Sequence, residues 1–167
     1  MRCAAHGVFV SMCAIVLLLT AVGCNSVHDK DDEVKEYVKV GDRLPAFSVL
    51  AVHEDGTTST FSTEKLTGET VIVLFNTSCS DCQRDLPLLN AYYLEHRNDK
   101  GFQMVAISRE ESAESVAAYW QAQQLSIPYS AQTDRSIYNL FASSIIPRIY
   151  FCNAEGIVTK MYVEVFN

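Results

Sequence analysis

Apolar and polar positions fall in blocks along this chain, and the blocks differ in period. Val71-Ile72-Val73-Leu74-Phe75 is an unbroken apolar run, β-branched at its start. Its lack of alternation predicts a strand buried on both faces. From Gln83 to Arg97 the pattern turns helical, with Leu86, Leu89, Tyr93 and Leu94 available for a buried stripe. Pro87 inside this stretch predicts a kink, because it lacks an N–H and crowds the preceding turn. Phe102 to Ile107 reads as a second, largely apolar strand. Ser108-Arg109-Glu110-Glu111 has capping-box spacing, with Ser108 as N-cap and Glu111 at N3. It predicts a helix running to about Gln124 that buries Val116 and Trp120. Upstream, Phe47 to Val52 and Thr57 to Ser62 read as strands around the turn Glu54-Asp55-Gly56, followed by a helical turn at Thr63 to Leu66. Downstream, Ser136 to Phe141 is a short helix, and Ile149 to Cys152 with Ile157 to Val165 forms a hairpin across Asn153-Ala154-Glu155-Gly156. The order strand, helix, strand, helix, closing hairpin predicts an α/β fold, a central mixed sheet flanked by helices on both faces.

The first block is of another kind. Arg2 gives a small positive region, and Val8 to Val22 is nearly all apolar, short for a membrane span and ending in small residues. Residues 1–23 therefore read as a signal peptide. Leu19-Thr20-Ala21-Val22-Gly23-Cys24 resembles a bacterial lipobox, which implies cleavage before Cys24 and lipidation of that cysteine. An ordinary secretory signal or an uncleaved anchor stays open beside it. The charge-dense residues 25–39 read as a flexible acidic tether, long enough to span on the order of 20 Å. Its cluster Asp29-Lys30-Asp31-Asp32-Glu33 resembles signals that send bacterial lipoproteins to the cell surface, with a plain solvated linker as the alternative. Residues 40–167 are left as a single domain.

Composition narrows the function. The 167 residues are 49% hydrophobic and 20% charged, as in a globular domain. A net charge of −7 with no basic patch excludes nucleic acid as a partner. Of six cysteines, Cys3 and Cys13 leave with the signal and Cys24 takes the lipid, so Cys79, Cys82 and Cys152 remain. One close pair and one odd cysteine in an exported protein is not a disulfide scaffold. Cys79-Ser80-Asp81-Cys82 lies where the buried strand hands over to a helix N-terminus, whose unpaired N–H groups and dipole favour the thiolate that reacts. Asp81 competes for that positive potential, which points toward a reducing rather than a strongly oxidising pair. Cys152 reads as a buried small hydrophobe. His6, His28, His53 and His96 are scattered, and none forms a zinc-site spacing with the cysteines, so no metal and no cofactor is expected.

These landmarks carry a resemblance. Gly41-Asp42-x-Leu44-Pro45-x-Phe47, the Cys79–Cys82 motif after the central strand, Pro87, and Ile146-Pro147 before the hairpin occur in the order of the thioredoxin fold. They resemble in particular its TlpA-like branch of membrane-anchored thiol–disulfide oxidoreductases, over roughly residues 40–165. The resemblance implies Cys79 as attacking thiol, Cys82 as resolver and a Cys79–Cys82 redox disulfide. It implies a cis Pro147 packed beside the pair, with Ile146 offering backbone to a substrate strand. Thioredoxin's strand acid is replaced by Val73, and Asp85 takes the place of the branch's glutamate as proton acceptor, a solvated first-turn acid being the plainer reading. Arg148 would place a cation near the substrate. Partners implied are proteins with disulfides or thiols, an electron donor in the membrane or envelope, and the membrane surface itself. The location implied is the cell envelope, facing the periplasm or at the cell surface. Two other readings use the same pair. A peroxiredoxin-like peroxidase would need Pro and Thr where Ile72 and Asn76 stand, and a copper or zinc chaperone would need further ligands.

Overall fold

The computed structural model describes residues 34–166. Its elements run β1 (Ser48–Val52), β2 (Thr58–Ser62), β3 (Thr70–Phe75), α1 (Ser80–His96), β4 (Gln103–Ser108), α2 (Ala113–Gln123), β5 (Tyr129–Ser130), a 3-10 turn (Tyr138–Leu140), β6 (Arg148–Cys152) and β7 (Val158–Val163). The apolar run is the middle of the molecule: every residue of β3 is at most 1% exposed. β4 pairs with it in parallel, Phe75 opposite Ser108, and β6 pairs antiparallel, Thr70 opposite Cys152. The full sheet has the order β2-β1-β5-β4-β3-β6-β7. β5, only two residues long, bridges β1 to β4, and a segment that short leaves no periodicity to read.

Alternation along β3 divides the core in two. Val71, Val73 and Phe75, with Met104, Ala106, Ile149 and Phe151, pack against Leu86 and Leu89 of α1 and Val116 and Trp120 of α2. Ile72 and Leu74, with Val105, Ile107 and Tyr150, pack against Val38, Leu44, Phe47, Tyr138 and Phe141. Helical cover therefore lies on both faces but unequally, two α-helices on one and a single 3-10 turn on the other. A full core on each side makes the strand indifferent to period 2, which is why it reads as an unbroken run.

Three expectations are corrected. α2 begins at Ala113 rather than after Ser108, because Ser112 is the N-cap and accepts from Ser115 N at 3.2 Å. Ser108 remains in β4, where its hydroxyl accepts from Gln132 N at 3.0 Å. The stripe of α1 stops short of Leu94, which is 42% exposed, and the buried row is Cys82, Asp85, Leu86 and Leu89. The last part of the expected tether is docked on the domain. Lys35 N donates to Ser143 Oγ, Tyr37 N to Phe141 O, and Val38 is buried. Residues 1–33, with the signal segment, Cys24 and most of the tether, lie outside the described residues.

Candidate active site

β3 ends at Phe75 and delivers a four-residue turn to α1. Asn76 organises that turn. Its Oδ1 accepts from Ser78 N at 2.9 Å and from Ser78 Oγ at 2.5 Å, and its carbonyl accepts from Cys79 N at 3.1 Å. Its Nδ2 donates to Arg109 O at 3.0 Å, tying the turn to the end of β4. Thr77 is held from the same side by Glu111, which accepts from Thr77 N at 2.9 Å and from Thr77 Oγ1. The N-cap of α1 is Cys79 itself, with extended φ −81° and ψ 121° and no side-chain capping bond, so its sulfur is not committed to the helix. Cys79 is half-buried, Cys82 is fully buried one turn on, and both are free thiols.

The opposite wall comes from 67 residues further along: Cys79 Sγ donates to Ile146 O at 3.6 Å. The Ile146–Pro147 bond is cis, and Ile145 takes a left-handed φ of 74°. This corner is braced from beneath by Tyr138, whose hydroxyl donates to Ile145 O at 2.7 Å. Arg148 braces it too. Its Nε donates to Ser144 O and Ile145 O, each at 3.2 Å, and Nη2 to Ser144 O at 3.0 Å, while Nη1 lies 3.3 Å from Glu36 Oε1. At 0% exposure this guanidinium has no surface to offer. The expectation that Arg148 presents a cation to substrate is corrected: its planar fork is spent on carbonyls of the loop before Pro147.

Asp85 is buried on the Cys82 face of α1, with its side chain 1% exposed. It accepts from Arg84 Nε at 2.7 Å, Arg84 Nη2 at 3.2 Å and Phe166 N at 2.9 Å. It is thus not the solvated surface acid of the plainer reading. Arg84 also pairs with Asp81 at 2.7 Å, which offsets part of the negative charge that Asp81 brings to the helix start. Burial pushes the Cys82 thiol far up, with the Cys79 thiol adding to the rise, while the Asn76 backbone and the charge of Arg109 pull it down. Cys152 sits opposite Thr70, at the far end of β3 from the pair, where burial pushes its thiol up to about 12. Two thiols are the whole ligand set here: no cluster of three or more His, Cys, Asp or Glu suited to a metal occurs among the described residues. Ile72 is a fully buried strand residue, and the Asn76 side chain is spent on Ser78 and Arg109, so neither stands in for the peroxidase pattern.

Two residues of this site, Arg109 and Glu111, were not read from the sequence. The usable signal was position. Both directly follow the strand that neighbours β3, at the carboxyl edge of the parallel pair where sites of such sheets form. The capping-box reading drew Glu111 into the helix instead.

Residues 40–161 match the AhpC/TSA family, and the chain belongs to it. The chain is 26% identical over 148 residues to the thiol-disulfide oxidoreductase ResA of Oceanobacillus iheyensis, covering 88% of this chain and 76% of that protein. It is 25% identical over 154 residues to the thiol-disulfide oxidoreductase ResA of Bacillus subtilis, covering 92% and 83%. Among solved structures, a thiol:disulfide interchange protein of the thioredoxin family from Chlorobium tepidum superposes with a TM-score of 0.62 at 23% identity, over 77% of this chain and 90% of that one. The fold is thioredoxin-like.

Proposed function

We propose that this member of the AhpC/TSA family is a thiol–disulfide oxidoreductase of the cell envelope, working as a protein-disulfide reductase. One observation carries the reading. A half-buried N-cap thiol, Cys79, stands 3.6 Å from Ile146 O, and a fully buried thiol, Cys82, waits in the next turn. Cys79 is the N-cap of α1, so the unpaired amides and positive dipole end of the helix begin next to the residue on whose sulfur negative charge develops as it attacks. Cys79 Sγ bonds to one sulfur of a substrate disulfide and the other leaves as a thiol. Cys82 then attacks Cys79, the Cys79–Cys82 disulfide forms, and the second substrate thiol is released. The Ile146 backbone is the partner for an extended substrate strand, with Pro147 packed beside it.

Asp85 is assigned as proton acceptor for Cys82. It lies on the same buried face of α1, and three of the roughly four acceptor positions of its carboxylate are occupied, leaving room for one more proton donor. Residues 1–23 are assigned as a signal peptide, Cys24 as the lipidated residue, and residues 25–34 as the tether that holds the domain at a membrane surface, facing the periplasm or outside the cell. The h-region and the lipobox-like end of that segment support this reading. The partners are envelope proteins with disulfides or thiols, and an electron donor in the membrane or envelope.

The test is trapping. Cys82→Ser should accumulate proteins joined to Cys79 in cells, released by reductant and absent from Cys79→Ser. The wild type should reduce a protein disulfide in vitro. No adduct together with no reductase activity would refute the reading.

A further inference from the structure

The segment that follows β7 is fastened by its backbone to both halves of the site. Glu164 N donates to Pro147 O at 3.0 Å, and Phe166 N donates to Asp85 Oδ2 at 2.9 Å. Between the two, Glu164 O accepts from Arg84 Nη2 at 2.5 Å. The side chains of Glu164 and Val165 are exposed, so the Phe166 ring is the anchor of the segment. That ring stacks on Phe151 of β6 at 6.3 Å and meets Tyr162 of β7 and Tyr92 of α1 edge-on, at 5.2 and 6.5 Å. Three elements thus set the place of one backbone N–H. Its acceptor, the Asp85 side chain, is 1% exposed, and a buried carboxylate depends on its donors. The two oxygens of that carboxylate are not equivalent. Oδ2 accepts from Arg84 Nη2 at 3.2 Å and from Phe166 N, which fills both of its positions. Among the described residues, Oδ1 accepts only from Arg84 Nε at 2.7 Å, so the open position lies on Oδ1. Arg84 is 47% exposed and shared with Asp81, which leaves the Phe166 amide as the donor that packing holds in place.

We propose that Phe166 is a positioning residue of the resolving step: by occupying Oδ2 of Asp85, its backbone N–H leaves Oδ1 as the atom that takes the proton of Cys82. The inference rests on the thiol–disulfide reading above and on its assignment of Asp85. Cys82 and Asp85 stand three positions apart in the buried row of α1, which makes them neighbours on one helix face. In the mixed disulfide, Cys82 gives its proton to Asp85 Oδ1 and its sulfur attacks Cys79 Sγ. The Cys79–Cys82 bond forms as the bond from Cys79 to the substrate sulfur breaks. That sulfur leaves with the electron pair and takes a proton from water, so the dithiol supplies both electrons that reduce the substrate disulfide. Pinning Oδ2 fixes which oxygen meets the thiol. Placement of this kind carries rate, since a reacting group misplaced by about 1 Å can lose about 10²-fold. Through Glu164 the same segment is tied to Pro147 O, so the acid is held in register with the corner that receives substrate.

A double-mutant cycle separates this role from a merely structural one. In the full chain, stopped-flow rates are measured with a small aromatic disulfide. Formation of the mixed disulfide is followed in Cys82→Ser, and its collapse in protein with Cys82 intact. Asp85→Asn, which removes the base, should slow collapse on the order of 10²-fold. Phe166→Ala removes the ring that seats the amide and should slow collapse about tenfold. In the Asp85→Asn background it should slow collapse no further, because the acid through which it acts is gone. Phe166→Ala should slow the first attack by Cys79 far less than collapse, and Phe166→Tyr, which keeps the ring, should recover most of the loss. Collapse of Phe166→Ala at the wild-type rate overturns the proposal. So does a slowing of equal size with and without Asp85, or one shared equally by the first attack. If Phe166→Ala does not fold, hydrogen exchange in Cys82→Ser decides. The Phe166 amide should stay protected in the mixed disulfide, the state in which Asp85 is needed, and an amide that exchanges freely there overturns the proposal. Collapse of Asp85→Asn at the wild-type rate brings down the assignment of Asp85, and this inference with it. Cys82→Ser protein that forms no mixed disulfide at all brings down the oxidoreductase reading itself.

Discussion

Arg148→Lys tests whether the buried guanidinium braces the site or serves the substrate. The wild-type side chain makes three hydrogen bonds to two loop carbonyls and one contact to Glu36. An ammonium keeps the charge but not the fork, and from this strand it can satisfy one of the carbonyls of Ser144 and Ile145 rather than both. A buried acceptor left without a donor costs about 1–3 kcal/mol, and hydrogen bonds to a charged donor are worth about 1.5–3 kcal/mol each. The expected loss is about 3 kcal/mol, or on the order of 10 °C in Tm for a domain of this size. Glu36→Gln removes only the ion pair. Because the Glu36 side chain is 32% exposed, that loss should stay under about 1 kcal/mol. The assay is chemical denaturation of the three proteins beside kcat and KM for reduction of acidic and neutral disulfide peptides. The bracing role predicts a large stability loss for Arg148→Lys and no selective change toward acidic peptides. Wild-type stability with a KM raised only for acidic peptides would refute it and restore the substrate-facing cation.

Two further outcomes follow from the same geometry. Glu111→Gln leaves Thr77 with one acceptor of the present two, so stability should fall by about 1–2 kcal/mol and attack by Cys79 should slow as the turn loosens. Unchanged unfolding and unchanged single-turnover rates together would show that the clamp holds nothing. In the reduced protein, burial raises the folded-state thiol values of Cys82 and Cys152, the latter to about 12. The native state then keeps protons that the unfolded chain gives up. This stability is complete below the unfolded thiol range near pH 8.5 and is lost as pH climbs toward 12, by about 1.4 kcal/mol per unit for each thiol. Cys152→Ala should remove about half of that slope in denaturation series from pH 8 to 11.

What was legible in the sequence was whatever rests on local chemistry. The unbroken run at Val71–Phe75, the Cys79–Cys82 spacing and the Ile146-Pro147 pair each state their place within a few residues, and the structure brings all three together. What was not legible depends on which of two similar residues wins a contact made elsewhere. Ser108 and Ser112 are both plausible N-caps. Ser112 takes the role because Ser108 is held in β4 by pairing with Phe75 and by the bond from Gln132. Arg148 reads as a surface cation beside the active site until Glu36, Ser144 and Ile145 surround it, and Glu36 comes from a segment whose composition reads as linker. Asp85 reads equally as a solvated acid, and the residue that helps bury it, Phe166, is 81 positions away.

The late start of α2 has a consequence for the site. Had the helix begun after Ser108, residues 109–112 would have followed its axis and carried their side chains away from β3. The chain instead leaves β4 through Glu110 at a left-handed φ of 57°, held by Glu110 N to Asp134 O at 3.1 Å and Glu111 N to Gln132 O at 3.0 Å. A non-glycine residue there costs roughly 1 kcal/mol or more, and such positions persist where their surroundings over-determine them. With this reversal, Arg109 and Glu111, on either side of Glu110, both reach the cysteine turn, one through Phe75 and Asn76 and the other through Thr77. Val73, where thioredoxin keeps an acid, is fully buried in the core beneath α1, and a carboxylate there would have to be desolvated. On this chain the acids nearest the cysteines, Asp81 and Asp85, are carried by α1 and paired with Arg84, rather than by the central strand.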